Sequence, residues 1–431
     1  MFTRNVQKGA QSIPPRSASG QGGFRNRSRR HRHNGPSAGG ASRPNPVRKS
    51  GNRGQGNRGG RGASTLDPSL FIKKAVLTKP EEVYIPSFTY PNLTVHPGLK
   101  ANISKKGYKN PTPIQDKTIA HILAGKDILG IANTGTGKTA AFLIPLIDKV
   151  LLQPKHRVLI LVPTREIATQ IRDELFSLSQ SLRIWSVVCV GGLPIRYQMS
   201  DLRRDPHFLI ATPGRLKDLI ARRAVNLTRF DHVVLDEADR MVDMGFINDI
   251  REILGLLAKD RQSLFFSATL PTEVKNLINS FLKNPITVSV KKQETAANVD
   301  QDVVRVGRGQ NKIEILCGLL RNAAVFNKVL IFARTKRFVD RLTIALQEKG
   351  FKVESIHGDK VQSKRQKALD LFKQNHVHIL VATDVAARGL DIPNVSHVIN
   401  FDPPHTYEDY IHRIGRTGRI DKKGKALTFI E

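Results

Sequence analysis

The feature that most constrains this fold is a set of short, nearly unbroken apolar runs that occurs in two blocks. The first block holds DILGIAN (127–133), RVLILVP (157–163), HFLIATP (207–213), HVVLDEA (232–238) and SLFFSAT (263–269). The second holds KVLIFAR (328–334), KVESIHG (352–358), HILVATD (378–384), HVINFDP (397–403) and KALTFIE (425–431). Continuous apolar character over so few residues predicts strands buried on both faces, the mark of a parallel sheet covered by helices. Amphipathic stretches such as 165–180 supply the crossovers. The expected architecture is therefore α/β, with two parallel-sheet domains in tandem. The first spans 88–289 and the second 303–431, joined by the polar segment VKKQETAANVDQD (290–302).

Residues 1–66 have a different character. They carry 14 Lys and Arg and no Asp or Glu, in Gly-, Ser-, Asn- and Pro-rich sequence such as GNRGQGNRGGRG (51–62). So few apolar side chains cannot offset the entropy of ordering a backbone, so a disordered basic arm is expected, followed by a flank over 67–87. Phe2 and Phe24 are its only aromatic residues, which points to phosphate contact rather than base stacking. A transit peptide would also be Arg-rich, but this segment has no apolar helical face. The whole chain has 69 Lys and Arg against 37 Asp and Glu, a net charge of +32, and a polyanionic partner such as nucleic acid fits that excess. Cys189 and Cys317 are distant and each sits in apolar sequence, so both read as buried thiols compatible with a reducing compartment. No apolar run reaches the ~18 residues of a membrane span, and no secretory signal is evident. A cytoplasmic location is expected.

Three motifs carry chemistry. ANTGTGKT (132–139) follows a predicted strand and precedes a predicted helix. Closely spaced glycines let backbone N–H groups wrap phosphate oxygens, Lys138 offers a charge to the β- and γ-phosphates, and the Thr139 hydroxyl can ligate Mg²⁺. The helix adds its positive dipole end. Ala132 stands where the strict phosphate-loop pattern has its first glycine. VVLDEADRM (233–241) places Asp236 and Glu237 at the end of an apolar strand, where Asp236 can hold the metal and Glu237 can polarise an attacking water. HRIGRTGR (412–419) could form a nucleic-acid patch, or its Arg416 and Arg419 could reach a γ-phosphate as arginine fingers.

Taken together these segments closely resemble the DEAD-box RNA helicases of superfamily 2, over residues 88–431. The resemblance implies two RecA-like domains, ATP and Mg²⁺ as cofactors, and RNA as partner. GYKNPTPIQ (107–115) is similar to the adenine-reading Q motif, with Gln115 reading the base, Tyr108 stacking on it and Phe88 as the upstream aromatic. Thr134, Gly135, Thr136, Gly137, Lys138 and Thr139 would bind phosphate, and Asp391 the ribose. PTRE (163–166), GG (191–192) and TPGR (212–215) resemble RNA contacts, through Thr164, Arg165, Gly192, Thr212 and Arg215. Gln362, Arg365, Thr383 and Asp384 would contact RNA from the second domain, although Lys360 and Val361 replace the family's usual Met-Ser. Ser267, Thr269, Arg388 and His412 would couple hydrolysis to strand separation, and Arg416 and Arg419 become the fingers. No protein-ligated metal is expected beyond Mg²⁺ held with ATP.

The implied mechanism is local unwinding of RNA duplex, or RNA–protein remodelling, as ATP and RNA together close the two domains. Backbone contacts would leave little sequence preference. A monomer is expected, with ribosomal or ribonucleoprotein particles as compatible partners. Two rival readings are a DNA helicase and an RNA annealer acting through the basic arm. A chain lacking residues 1–66 should keep ATP turnover but bind RNA more weakly. Its salt dependence should be shallower in a titration of RNA affinity against KCl; an unchanged slope would contradict the reading of the arm.

Overall fold

The computed structural model describes residues 67–75, 84–133, 135–290, 298–387, 392, 395–418 and 424–430. The arm over 1–66 lies outside them, as does most of the segment read as a linker.

All ten apolar runs form strands. The first lobe contains β1 (Ile128–Ala132), β2 (Val158–Leu161), β3 (Ser186–Cys189), β4 (Phe208–Ala211), β5 (His232–Leu235), β6 (Gln262–Ser267) and β7 (Ile286–Val290). They form one parallel sheet in the order β3-β4-β2-β5-β6-β1-β7. The second lobe contains β8 (Val299–Arg305), β9 (Val329–Phe332), β10 (Val353–Ile356), β11 (Ile379–Ala382), β12 (His397–Asn400) and β13 (Gly424–Ile430). These are also all parallel, in the order β10-β11-β9-β12-β13-β8. The fold is thus α/β with two RecA-like sheets.

The side-chain period of two divides each strand between two cores. In the first lobe Ile160, Ile210, Val234 and Leu264 face one cluster, while Leu159, Leu209, Val233 and Phe265 face the other. In the second, Leu330, Leu380 and Val398 oppose Ile331, Val381 and Ile399 in the same way. Buried helices complete each layer. The helix α3 (Lys138–Leu152) is almost wholly enclosed and keeps Pro145 within it. The helix α4 (Arg165–Leu178) buries Ile167, Ala168, Ile171, Leu175 and Leu178, the periodic face of an amphipathic crossover.

The strand β8 begins at Val299, inside the stretch read as linker. It pairs in parallel with β13 along its full length as an edge strand, and its burial is partial, which is why its sequence looks polar. The flank is likewise more than a spacer. Phe71 is 1% exposed and packs edge-on against Tyr410 at 4.8 Å, inside the second lobe's core. Lys73 forms an antiparallel bridge with Gln301, and the Ala75 N–H donates to Asp300 Oδ1 at 2.8 Å. Further along the chain, Tyr84 and Ser87 bond to Asp116 of the first lobe. Replacing Phe71 with Ala should therefore destabilise the second lobe by ~3–5 kcal/mol. Urea unfolding followed by a second-lobe probe checks this, and a loss below ~1 kcal/mol would show that the flank is not part of that core.

Candidate functional site

In a parallel sheet every strand delivers its carboxyl end to one edge, and ligands gather there. The strand order divides that edge in the first lobe. The neighbours β5, β6 and β1 end in Asp236-Glu237, Ser267-Ala268-Thr269 and the phosphate loop. The neighbours β3, β4 and β2 end in Gly191-Gly192, Thr212 and Thr164-Arg165.

The phosphate loop turns at Gly135 (φ 82°) and Gly137 (φ 91°), conformations that suit glycine. A Cβ on Gly137 would also come within 2.5 Å of the Gln115 amide nitrogen. Thr136 Oγ1 donates to the Asn133 carbonyl at 2.8 Å and closes the loop. Lys138, 6% exposed, starts α3 and donates through Nζ to the Ala132 carbonyl at 2.9 Å, holding its charge over the loop. Thr139 follows it on α3, half-buried.

Gln115 belongs to α2 (Pro113–Leu123) and closes a capping box with Thr112. Its Oε1 accepts from the Tyr90 hydroxyl (2.8 Å) and the Thr112 N–H (2.8 Å), while Nε2 donates to the Gly137 carbonyl (3.0 Å). The amide therefore ties the Q segment directly to the phosphate loop. Phe88, Tyr90 and Tyr108 form an aromatic row, with ring centroids 5.9 and 5.7 Å apart. The Tyr108 hydroxyl donates to Glu174 at 2.9 Å, and burial raises the phenols of Tyr90 and Tyr108.

Asp236 and Glu237 are 5% and 8% exposed. Burial pushes the Asp236 carboxyl well above the usual carboxylate range; Lys138 opposes this and Glu237 adds to it. A carboxylate this dry, with another beside it, fits a divalent cation, so the donor set suits Mg²⁺ held with a triphosphate. Glu237 adopts a left-handed backbone (φ 55°, ψ 52°) where β5 gives way to α7 (Ala238–Asp243). Its Oε2 pairs with Arg240 Nη1 at 2.8 Å. Asp239 Oδ2 accepts from the Ala268 N–H (3.1 Å), the Thr269 N–H (2.7 Å) and Thr269 Oγ1 (2.9 Å). The Asp239 N–H donates to Ser267 Oγ at 3.2 Å, and that hydroxyl donates to the Thr269 carbonyl at 2.7 Å. Ser267 and Thr269 are thus locked to the segment that carries the two catalytic carboxylate candidates.

Beside this lies a cleft of about 440 Å³ lined by both lobes, among them Thr164, Arg165, Thr212, Arg215, Arg365 and Val385. The Arg165 guanidinium lies against Gly191 and Gly192, and a Cβ at Gly192 would collide with it. Arg215 Nη1 donates to the Leu193 carbonyl at 3.0 Å. Burial lowers the Arg165 guanidinium from its ordinary value, and Arg365 and Arg215 push it the same way. Across the cleft, Arg365 pairs with Glu166 at 2.8 Å, and Gln362 Nε2 donates to Glu166 Oε1 at 3.1 Å. Both come from α12 (Gln362–Lys373). Thr383, 7% exposed, ends β11, and Asp384 opens α13 (Asp384–Ala387). The Asp384 carboxylate is taken up by Arg413 in a bidentate pair of 2.6 and 2.8 Å. Arg413 and His412 lie on α14 (Tyr407–Ile414), and buried Arg416 follows, its Nε donating to the His412 carbonyl at 3.4 Å.

Two family models match the chain in sequence: DEAD/DEAH box helicase over residues 112–277 and helicase conserved C-terminal domain over 311–421. The DEAD-box ATP-dependent RNA helicase CshA of Bacillus licheniformis is 45% identical over 346 residues, covering 80% of this chain and 71% of that protein. This chain belongs to the DEAD-box ATP-dependent RNA helicase family. The CshA of Bacillus subtilis is 44% identical, covering 80% and 70%. Among solved structures, Mss116p bound to single-stranded RNA and AMP-PNP superposes with a TM-score of 0.72 at 32% identity, covering 80% of this chain and 75% of that one. Saccharomyces cerevisiae Dbp5 bound to RNA and ADP BeF3 gives 0.70 at 28% identity, covering 80% and 89%.

Thr134, Arg388, Asp391 and Arg419 lie outside the described residues. Sequence reasoning missed Tyr90, Glu166, Asp239, Arg240 and Arg413 as members of this helicase's site. For Asp239 and Arg413 a signal existed, since each places a charge in a segment that burial makes costly. One other group among the described residues could hold a metal, His156, Asp231 and His232. It sits at the opposite end of β5 from Asp236, and both imidazoles already bond to Asp231. No helix among the described residues is long and apolar enough to cross a membrane.

The acceptor role of Asp239 is testable. D239N keeps the shape but can turn an N–H towards the N–H groups of Ala268 and Thr269. The first lobe should lose ~1–3 kcal/mol in denaturant unfolding; wild-type stability would remove Asp239 from the latch.

Proposed function

We propose that this chain uses ATP to clamp single-stranded RNA between its lobes and so opens short duplexes. The observation that carries the reading is the shared carboxyl edge of one sheet. Lys138, Asp236 and Glu237 converge on its β1–β5 side, and Arg165, Thr212 and Arg215 flank a cleft on its β2–β3 side that reaches Arg365 of the second lobe.

In this reading Gly135, Thr136 and Gly137 present backbone N–H groups to phosphates, and Lys138 neutralises them. Thr139 and Asp236 hold Mg²⁺, which polarises the transferred phosphoryl group when bound. Glu237 orients and accepts a proton from the attacking water. Phe88, Tyr108 and Gln115 form the adenine side, with Gln115 relaying base occupancy to the loop through Gly137. Arg416 meets developing charge from the second lobe. Thr164, Arg165, Gly192, Thr212 and Arg215 take phosphates and sugars on one side, and Gln362, Arg365 and Thr383 on the other. Asp384 acts by fixing Arg413. Ser267, Thr269 and His412 connect the hydrolytic side to the second lobe.

Glu166 supports the RNA assignment. It occupies Arg365 and Gln362 with a carboxylate, the charge type that an RNA phosphate would bring to the same groups. RNA-stimulated ATP hydrolysis measured on full-length protein tests the whole reading. E237Q should lower turnover by ~10²–10⁴-fold and abolish duplex unwinding. Stronger stimulation by single-stranded DNA than by RNA would instead favour a DNA motor, and unwinding that survives E237Q in the presence of ATP would favour an annealer.

A further inference from the structure

Arg240 sits in the interior between the hydrolytic carboxylate and the second lobe. It is 6% exposed, and a guanidinium so dry is tolerated where its donors meet acceptors. Its Nη1 pairs with Glu237 Oε2 at 2.8 Å, one helical turn away, with both side chains at most 10% exposed. Its Nη2 donates across the lobe boundary to the Val385 carbonyl at 3.2 Å. Val385 lies on α13, directly after Thr383 and Asp384, the second-lobe segment facing the cleft. One planar fork therefore bridges the carboxylate and the backbone of an RNA-side element.

Glu237 needs such a support. Its backbone stands in the left-handed region at φ 55°, which is costly for a residue with a Cβ and persists only where surroundings impose it. A side chain on that hinge gains a fixed direction from a rigid partner, and a guanidinium held at its second nitrogen is rigid.

We propose that Arg240 is a positioning residue that transmits second-lobe docking to Glu237. When α13 is seated, the Val385 carbonyl fixes Nη2, and Nη1 then holds the Glu237 carboxylate in its working direction. When the lobes part, Nη2 loses that carbonyl and Glu237 loses its guide. RNA bound at Thr383 thereby promotes hydrolysis without touching the carboxylate. The inference rests on Glu237 acting on the attacking water, as proposed above.

The test uses full-length protein, a single-stranded RNA oligonucleotide and steady-state ATP turnover. R240Q should lower the RNA-stimulated kcat by about tenfold or more while KM for ATP moves less than about threefold, the pattern of a contact made in the transition state. RNA affinity in the presence of AMP-PNP should stay within about threefold. R240K carries one charge without the fork and should fall between R240Q and wild type. The double variant E237Q/R240Q should be no slower than E237Q, since Arg240 acts only through Glu237. An unchanged or raised kcat in R240Q, a matching rise in KM, or additive losses in the double variant would each overturn the proposal. Thermal unfolding checks that R240Q is folded; if it is not, R240K decides by the same kcat and KM criteria. Wild-type protein without RNA-stimulated hydrolysis would overturn the functional reading itself.

Discussion

Charge kept out of water at the carboxyl edge of a parallel sheet is the constraint on which this molecule turns. Asp236 and Glu237 are nearly dry at the end of β5, and Lys138 is nearly dry two strands away. Burying an ion costs several kcal/mol after relaxation; Arg240 pairs with Glu237, and Lys138 only partly offsets the burial that raises the Asp236 carboxyl. A bound divalent cation would bring positive charge to Asp236, and a triphosphate would bring negative charge to Lys138. Binding then stabilises the folded lobe by mass action, so nucleotide occupancy and local order rise together. The apolar strands β1, β5 and β6 have a mechanical part in this: a rigid, fully packed sheet keeps these buried charges at fixed separations.

The same logic extends across the cleft with the sign reversed. Arg365 and Arg215 add to the burial that lowers Arg165, and Glu166 is the carboxylate that meets Arg365. Phosphates entering the cleft would relieve that crowding, so each lobe offers RNA an incomplete charge balance just as it offers ATP one. In the proposed mechanism both ligands draw on the same lobe arrangement, so each would lower the ordering cost of the other. The Asp239 latch explains why this need not be a long-range effect. Its carboxylate is bonded to the backbone of Ala268 and Thr269 and its N–H to Ser267, two residues from Glu237. The end of β6 therefore cannot shift without moving the segment that bears Glu237.

The parts of the fold that the sequence made legible, and those it hid, separate by position in the sheets. Each of the ten continuous apolar runs became a strand, nine of them in sheet interiors or flanked by covering helices. The three strands that escaped notice, β3, β7 and β8, are all edges. Their burial alternates or is partial, so Ser186, Thr287 and Asp300 break the apolar signal. The phosphate loop, Asp236 and Glu237 were legible because backbone chemistry fixes their spacing within a few residues. Glu166 and Arg240 were not, since their partners Arg365 and Val385 lie 145 or more residues away and only folding brings them together. Phe71 was hidden for a related reason: one aromatic residue beside a basic arm gives no periodicity, yet it enters the second core.

Arg413 shows how the second lobe could deliver Arg416 with the accuracy that catalysis by charge requires. Its guanidinium grips Asp384 at two points, donates to the Asp402 carbonyl at 2.7 Å and to Asn400 Oδ1 at 3.2 Å, and stacks 5.2 Å from the Phe332 ring. Those partners stand at the ends of β11, β12 and β9, so a single side chain ties α14 to three adjacent strands. His412 precedes it and Arg416 follows one turn later, so both inherit its placement. The link to Asp384 also joins that helix to the segment beginning at Thr383. A finger mounted on a loose helix would give up much of its effect, because preorganised charge stabilises a transition state only when it needs no reorganisation on arrival. In the proposed roles, RNA-side and phosphate-side residues of the second lobe therefore move as one body, and closure presents them together.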